Sequence, residues 1–184
     1  MNDLRLNLGC GAKHLDGYIN VDKYGDPDFR FDLETFSYPW DDNSVATIEL
    51  HHVLEHLGQL IDVYLKIIID VYLKIIQELY RICKPGATIH IEVPHHRNDN
   101  FFHDPTHVRP ITVYGLSMFS KKRNREWLEQ GDPTTTPLGI YLDVDFELIE
   151  TVYTPSPVWL ERYAEHASDM ELLLKESEIY SNLM

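Results

Sequence analysis

The sequence predicts an α/β layer fold: a doubly wound, mainly parallel sheet with helices on both faces. Three observations predict it. Short apolar runs alternate with longer amphipathic stretches, the pattern of strands joined through helices. The first run, Arg5 to Leu8, ends in the bend Gly9-Cys10-Gly11. The second, Tyr18 to Asp22, ends in a carboxylate. Ligands of open parallel sheets lie outside the carboxyl ends of the strands, so bend and carboxylate fall on the same edge. Glycine lets backbone approach a ligand closely. A carboxylate ending the next strand accepts hydrogen bonds from ribose hydroxyls, so the pair points to a nucleotide-like ligand.

The remaining elements follow in order. Gly11 to Gly17 is too short for a full helix and reads as a loop, which reduces the first crossover helix. Arg30 to Leu33 is a brief third strand, and Val45 to Leu50 a fourth. Between them, Ser37 to Asn43 has turn chemistry. The spacing predicts a helix over 59–82, stopped by Lys84-Pro85-Gly86. Ala87 to Val93 alternates and reads as a fifth strand, bounded by Pro94. His95 to Pro110 is a histidine-rich loop, Ile111 to Gln130 a helix, and Gly131 to Gly139 a turn region. Asp145 to Thr154 alternates like another strand, and Trp159 to Tyr180 reads as a terminal helix.

The 184 residues are expected to form a single domain, 1–184, with a binding half over 1–94 and a substrate-facing half over 95–184. The formal charge of −14 sets an acidic surface against phosphate backbones, which argues against nucleic acid as a partner. The basic cluster Lys121-Lys122-Arg123-Asn124-Arg125 reads as a solvated helix face. Cys10 and Cys83 lack metal-ligand spacing and imply no disulfide. With no signal-peptide core in Met1 to Arg5, the expectation is a cytoplasmic protein with reduced thiols. The longest apolar region, Leu60 to Ile76, is interrupted by Asp62, Lys66, Asp70 and Lys74 and is not a membrane span.

Residues 61–68 (Ile-Asp-Val-Tyr-Leu-Lys-Ile-Ile) recur unchanged as 69–76. The period is far too short for a solenoid and indicates a local tandem duplication. Eight residues advance a helix by about 800°, so the second copy is rotated by about 80° from the first. The apolar surface therefore winds around the helix, and one sheet face cannot cover it all. Either part of it is buried elsewhere, under the terminal segment or in a homodimer contact through 61–76, or it stays exposed.

Four landmarks, taken in order, resemble a small class I S-adenosylmethionine-dependent methyltransferase of the type-11-like group. They are Leu6-Asn7-Leu8-Gly9-Cys10-Gly11; Asn20-Val21-Asp22; His52-Val53-Leu54-Glu55-His56; and Arg81-Ile82-Cys83-Lys84-Pro85-Gly86. The resemblance covers roughly Leu4 to Pro94 and implies a Rossmann-like sheet of seven strands, the last of which this chain has room to lack. It implies S-adenosylmethionine as cofactor and S-adenosylhomocysteine as product. Gly9, Cys10 and Gly11 would pass under the methionine part, and Leu8 before them is counted with the cofactor-binding residues. Asp22 would hold the ribose, and Asp32 with Leu33 would meet the adenine. His51 and His52 would lie near the sulfonium. A dinucleotide-dependent oxidoreductase is disfavoured, because His14 stands where a third glycine is wanted and Asp22 comes too early.

Methyl transfer to oxygen or nitrogen can require a base, and histidine suits that near neutral pH. His51, His52 and His107 are the candidate catalytic residues. His95, His96, His103 and Arg109 are the candidates for binding substrate, Arg109 through an anionic group. The competing reading of the His103 to Arg109 loop is a structure locked by hydrogen bonds around Asp104. Metal binding by His103, Asp104 and His107 is disfavoured, since Pro105 prevents a regular helix from presenting both histidines, and no metal is expected. If His95 and His96 continue the strand, they face opposite ways. The reading is methyl transfer to a small-molecule or sugar-linked acceptor, with a non-catalytic cofactor-binding protein or partner subunit as the alternative.

Overall fold

The computed structural model describes residues 3–58, 71–131 and 136–154. Among the described residues, five strands form one sheet: β1 (Leu4–Leu8), β2 (Ile19–Asp22), β3 (Phe29–Arg30), β4 (Val45–His51) and β5 (Cys83–Glu92). The order is β3-β2-β1-β4-β5, and every pairing is parallel. Strand order reverses between β1 and β4, which places the ligand crevice at their carboxyl ends. This is the Rossmann-like α/β arrangement that the sequence predicts. β1 is central, and Leu6, Asn7 and Leu8 are all buried, as a strand covered on both faces requires.

The first crossover has no helix among residues 9–18. A buried amide network takes its place. Asn7 Nδ2 donates to Asn20 Oδ1 at 2.9 Å and to the Lys13 carbonyl at 2.8 Å. The same Asn20 oxygen accepts the Leu15 N–H at 2.8 Å, and Asn20 Nδ2 donates to Asp28 Oδ2 at 2.7 Å. A short crossover leaves buried backbone groups without helical partners, and side-chain amides satisfy them here.

The helices are α1 (Val71–Ile82), α2 (Asp99–His103), α3 (Val113–Ser117), α4 (Lys121–Gln130) and α5 (Leu138–Tyr141). α1 buries Tyr72, Ile75, Ile76, Leu79 and Ile82, one stripe at helical spacing. Each such side chain contributes about 1.5–3 kcal/mol relative to exposure. Its other side meets the segment that follows α5. The Tyr80 and Phe146 rings lie 5.3 Å apart, and Gln77 Nε2 donates to the Leu142 carbonyl at 3.2 Å. Arg81, at the end of α1, fastens the loop before β4. It donates to the carbonyls of Tyr38 and Trp40 and to the carboxylates of Asp42 and Glu78. Phe31 packs edge-on against Tyr38 and Trp40, so the segment after β3 is held by aromatic contacts as well.

Several expectations need correction. The third strand is Phe29–Arg30, so Asp32 and Leu33 lie just past its end. β5 begins at Cys83, because the Lys84-Pro85-Gly86 turn bulges out of a strand that pairs at Cys83 and again from Thr88. The Ile111 to Gln130 helix is two helices. Ser120 adopts an extended conformation and its hydroxyl caps Arg123 N, which starts α4 afresh. The His95 to Pro110 loop contains α2. Among the described residues, 145–154 form no strand. Phe146 N instead donates to the Phe119 carbonyl, and Asp145 caps Lys121 N at 2.9 Å. The 61–70 part of the repeat and the 159–180 helix lie outside the described residues. The described residues up to Glu147 belong to one compact unit. Leu148 begins a second, of which 148–154 are described and irregular. Among the described residues, no helix is long and apolar enough to cross a membrane.

Candidate functional site

The carboxyl ends of β1 and β2 meet. The N–H groups of Gly9 and Cys10 both donate to the Val21 carbonyl, at 2.8 and 3.0 Å, which curls the bend over β2. Gly11 N–H then donates to Asp22 Oδ2 at 2.8 Å. The other oxygen, Oδ1, accepts the Tyr24 N–H at 2.8 Å. Each carboxylate oxygen retains a further lone-pair direction, which is what a sugar diol needs.

The two glycines are required for different reasons. Gly9 has φ +68°, and a Cβ there would stand 2.6 Å from Val53 Cγ2. Gly11 has φ +52°, and a Cβ there would meet nothing within 4 Å. Gly9 therefore packs against the fold, and Gly11 opens onto free space beside Asp22. Leu8 is fully buried beneath the bend. The Cys10 thiol is buried too, and burial first, then the Asp22 charge, pushes its pKa up. It is a packing group here, not a nucleophile.

Asp32 is partly exposed, 3.7 Å from Lys23 Nζ, and its Oδ1 accepts the Glu34 N–H at 3.0 Å. Leu33 is buried, and its carbonyl accepts the Tyr38 hydroxyl at 2.9 Å. These residues follow β3 on the same edge as Asp22, which pairs with Arg30.

The end of β4 gathers several ionisable side chains. His51 and Glu92 are register partners across β4 and β5, and His51 Nδ1 lies 2.7 Å from Glu92 Oε2. His51 Nε2 faces Glu49 Oε2 at 3.2 Å, and Lys13 Nζ approaches from the glycine loop at 3.3 Å. Hydrogen bonding from His51, reinforced by His52 and Lys13, holds the Glu92 carboxyl below its ordinary range. His52 has φ +54°, a turn that aims its ring outward, 3.6 Å from Glu92 and 3.4 Å from Glu55. The bend, Asp22, His51 and His52 thus share one edge.

The solved structure titled "Crystal structure of a SAM dependent methyltransferase from Archaeoglobus fulgidus" shares this fold. It aligns with a TM-score of 0.50 at 19% identity, over 88% of this chain and 76% of that one. At that identity the likeness establishes the fold. No protein-family model and no curated protein matches the chain.

The histidine-rich segment divides. Asp104 locks the loop: its Oδ1 accepts Thr106 N at 2.8 Å and the Thr106 hydroxyl at 2.6 Å. His107 turns inward, its Nδ1 on the Phe101 carbonyl at 2.8 Å and its ring 4.6 Å from that of His56. His103 is exposed at the end of α2. His95 and His96 do not face opposite ways. β5 stops at Glu92, and the two rings pack 4.3 Å apart. The Arg109 guanidinium lies over the Tyr72 ring at 4.3 Å and beside Gly58. There it lines an apolar cavity of about 310 Å³ with Ile111, Leu116, Phe119 and Leu138.

Sequence reasoning missed Lys13, Glu55 and Glu92 as site residues. Glu92 ends the fifth strand directly opposite His51, a signal available once the strands are paired. Glu55 stands in the His52 to His56 motif, three residues from one histidine and next to another.

Proposed function

We propose that this chain transfers a methyl group from S-adenosylmethionine to an oxygen or nitrogen of a small-molecule or sugar-linked acceptor. The observation that carries the reading is the Gly11 to Asp22 hydrogen bond with open space above Gly11. The residues present suit the cofactor. Asp22 offers lone pairs to the ribose, Gly9 to Gly11 offer close backbone, and Asp32 with Leu33 stands where the adenine would end. The cofactor supplies a methyl already activated on a sulfonium.

The chain's own work is alignment and exclusion of water. Carboxylates of Glu49, Glu55 and Glu92 around His51 and His52 favour a cation at this edge. His51, with each ring nitrogen on a carboxylate, is held in one orientation. His52 is the more exposed and is the better placed of the two to accept an acceptor's proton. His95, His96, His103 and Arg109 would form the acceptor side, with His107 behind them.

The test is incubation with methyl-labelled S-adenosylmethionine and fractionated pools of hydroxylated metabolites and glycosides. The reading expects label in an acceptor with equimolar S-adenosylhomocysteine. Cofactor binding with no transfer to any pool would favour the non-catalytic alternative.

A further inference from the structure

We propose that Glu55, His56 and His107 form a binding site for a divalent first-row transition metal ion. Glu55 is the starting point. Its side chain is 1% exposed, and neither carboxylate oxygen has a hydrogen bond. His52 Nδ1 lies 3.4 Å from its Oε1. Burying a carboxylate without donors is costly, and proteins do so beside a cation. One ligand atom each from Glu55, His56 and His107 lie within 4.8 Å of one another.

The two imidazoles are oriented as ligands. The Phe101 carbonyl can only accept, so His107 Nδ1 carries a proton, and Nε2, 3.8 Å from Asp104 Oδ2, is the nitrogen left to meet an ion. The same follows for His56 by one further step. The Thr106 hydroxyl gives its hydrogen to Asp104 Oδ1 at 2.6 Å. The Thr106 oxygen must then accept from His56 Nδ1 at 2.9 Å, which leaves His56 Nε2 with the lone pair. A carbonyl or carboxylate-linked acceptor behind each Nδ1 is the arrangement that fixes tautomer and ring direction in metal-binding histidines.

Chain geometry brings the three together. The 3-10 turn Leu54–His56 presents Glu55 and His56 from consecutive positions. The Val108 N–H donates to the Glu55 carbonyl at 2.9 Å, which docks the loop carrying His107 beside them. Two imidazole nitrogens and one carboxylate suit zinc, iron, manganese or cobalt, and three protein ligands leave positions open for water or an oxygen donor. Val53, next to this turn, packs on Gly9, so the site adjoins the glycine bend. There the ion would hold an oxygen-bearing acceptor, and this last step alone rests on the methyl-transfer reading.

The test is a cobalt(II) titration of tag-free, chelator-treated full-length protein without cofactor, followed by visible d–d absorption. The expected result is saturation near about one equivalent with bands of nitrogen–oxygen coordination. Glu55→Gln keeps the side chain's volume, and both it and His107→Ala are expected to weaken cobalt binding by roughly tenfold or more. His90→Ala, on the exposed side of β5, is expected to bind as the parent does. Circular dichroism establishes that each variant is folded. Cobalt should raise the melting temperature of the parent and not that of Glu55→Gln. Absence of d–d bands at stoichiometric cobalt, or equal binding by Glu55→Gln and His107→Ala, overturns the site. Loss of S-adenosylhomocysteine binding with cobalt binding intact overturns the proposed function and leaves the site standing.

Discussion

The backbone N–H of Gly11 points at the carboxylate of Asp22 across 2.8 Å, although the two stand eleven positions apart in the chain. That bond closes the end of β1 onto the end of β2. It needs no helix in the crossover, because the Asn7 to Asn20 amide pair holds the loop from below. On the proposed function, an adenosine diol would be gripped at this edge.

The two glycines of the bend separate stability from binding. Gly9→Ala is expected to destabilise the chain by about 2–5 kcal/mol, from crowding against Val53 and from left-handed backbone. For a chain of this size each kcal/mol lowers the melting temperature by about 2–4 °C. Gly11→Ala meets no neighbour, so its cost is the backbone alone, about 1–2 kcal/mol. Its larger effect should be on cofactor affinity. Thermal melts and cofactor titrations of the two variants check the contrast.

The fold gains acid-sensitive stability at Glu78. Hydrogen bonding from Arg81 holds its carboxyl below the ordinary 4.5, with the Tyr38 N–H adding to the effect at 2.6 Å. A depressed folded pKa means that the unfolded state binds the proton more readily. The contribution is therefore complete above the ordinary glutamate range and is lost as pH falls through the lowered folded value. Urea unfolding from neutral pH downward should show the loss, and Glu78→Gln should flatten it. At neutral pH the same variant should cost about 1.5–3 kcal/mol, as for a hydrogen bond to a charged group.

Cys83 tests burial at the start of β5. Desolvation pushes its thiol up to about 11. At pH 8 roughly one molecule in a thousand then carries the thiolate, against about a quarter for an ordinary cysteine. Disulfide-reagent labelling of the native protein should be slow at Cys83 and become fast in urea.

His107 should affect chemistry without affecting the cofactor. It sits with His56 and Glu55, away from Asp22 in the chain and on a different loop. His107→Ala is expected to leave S-adenosylhomocysteine affinity unchanged. With an acceptor identified, turnover should fall by roughly 10²-fold or more, the scale of losing a positioned acid–base group or ligand. Unchanged turnover would remove His107 from the site.

The parts of the fold that sequence reveals are those governed by local pattern. β1 and β2 are apolar runs ending in residues with special backbone or charge, and both stand where Leu6-Asn7-Leu8 and Asn20-Val21-Asp22 place them. Alternation in Asp145 to Thr154 misleads: among the described residues the segment forms no strand, and at its start Asp145 caps Lys121 N while Phe146 N bonds the Phe119 carbonyl. Ser120 could have signalled the break between α3 and α4, since an N-cap hydroxyl precedes a run of charged residues there. The Glu55, His56 and His107 cluster depends on a hydrogen bond from Val108 to Glu55, a pairing that no local spacing encodes. Likewise the His95 and His96 rings lie together past the strand, which stops at Glu92, one residue earlier than alternation implies.

Calorimetric titration with S-adenosylhomocysteine, for the parent and for Asp22→Ala, bears most directly on the grip at the sheet edge. Saturable binding is predicted for the parent, with affinity about 10- to 100-fold weaker in the variant, the loss of charge-assisted bonds to a diol. A parent that does not bind, or an Asp22→Ala variant that binds as tightly, would contradict it.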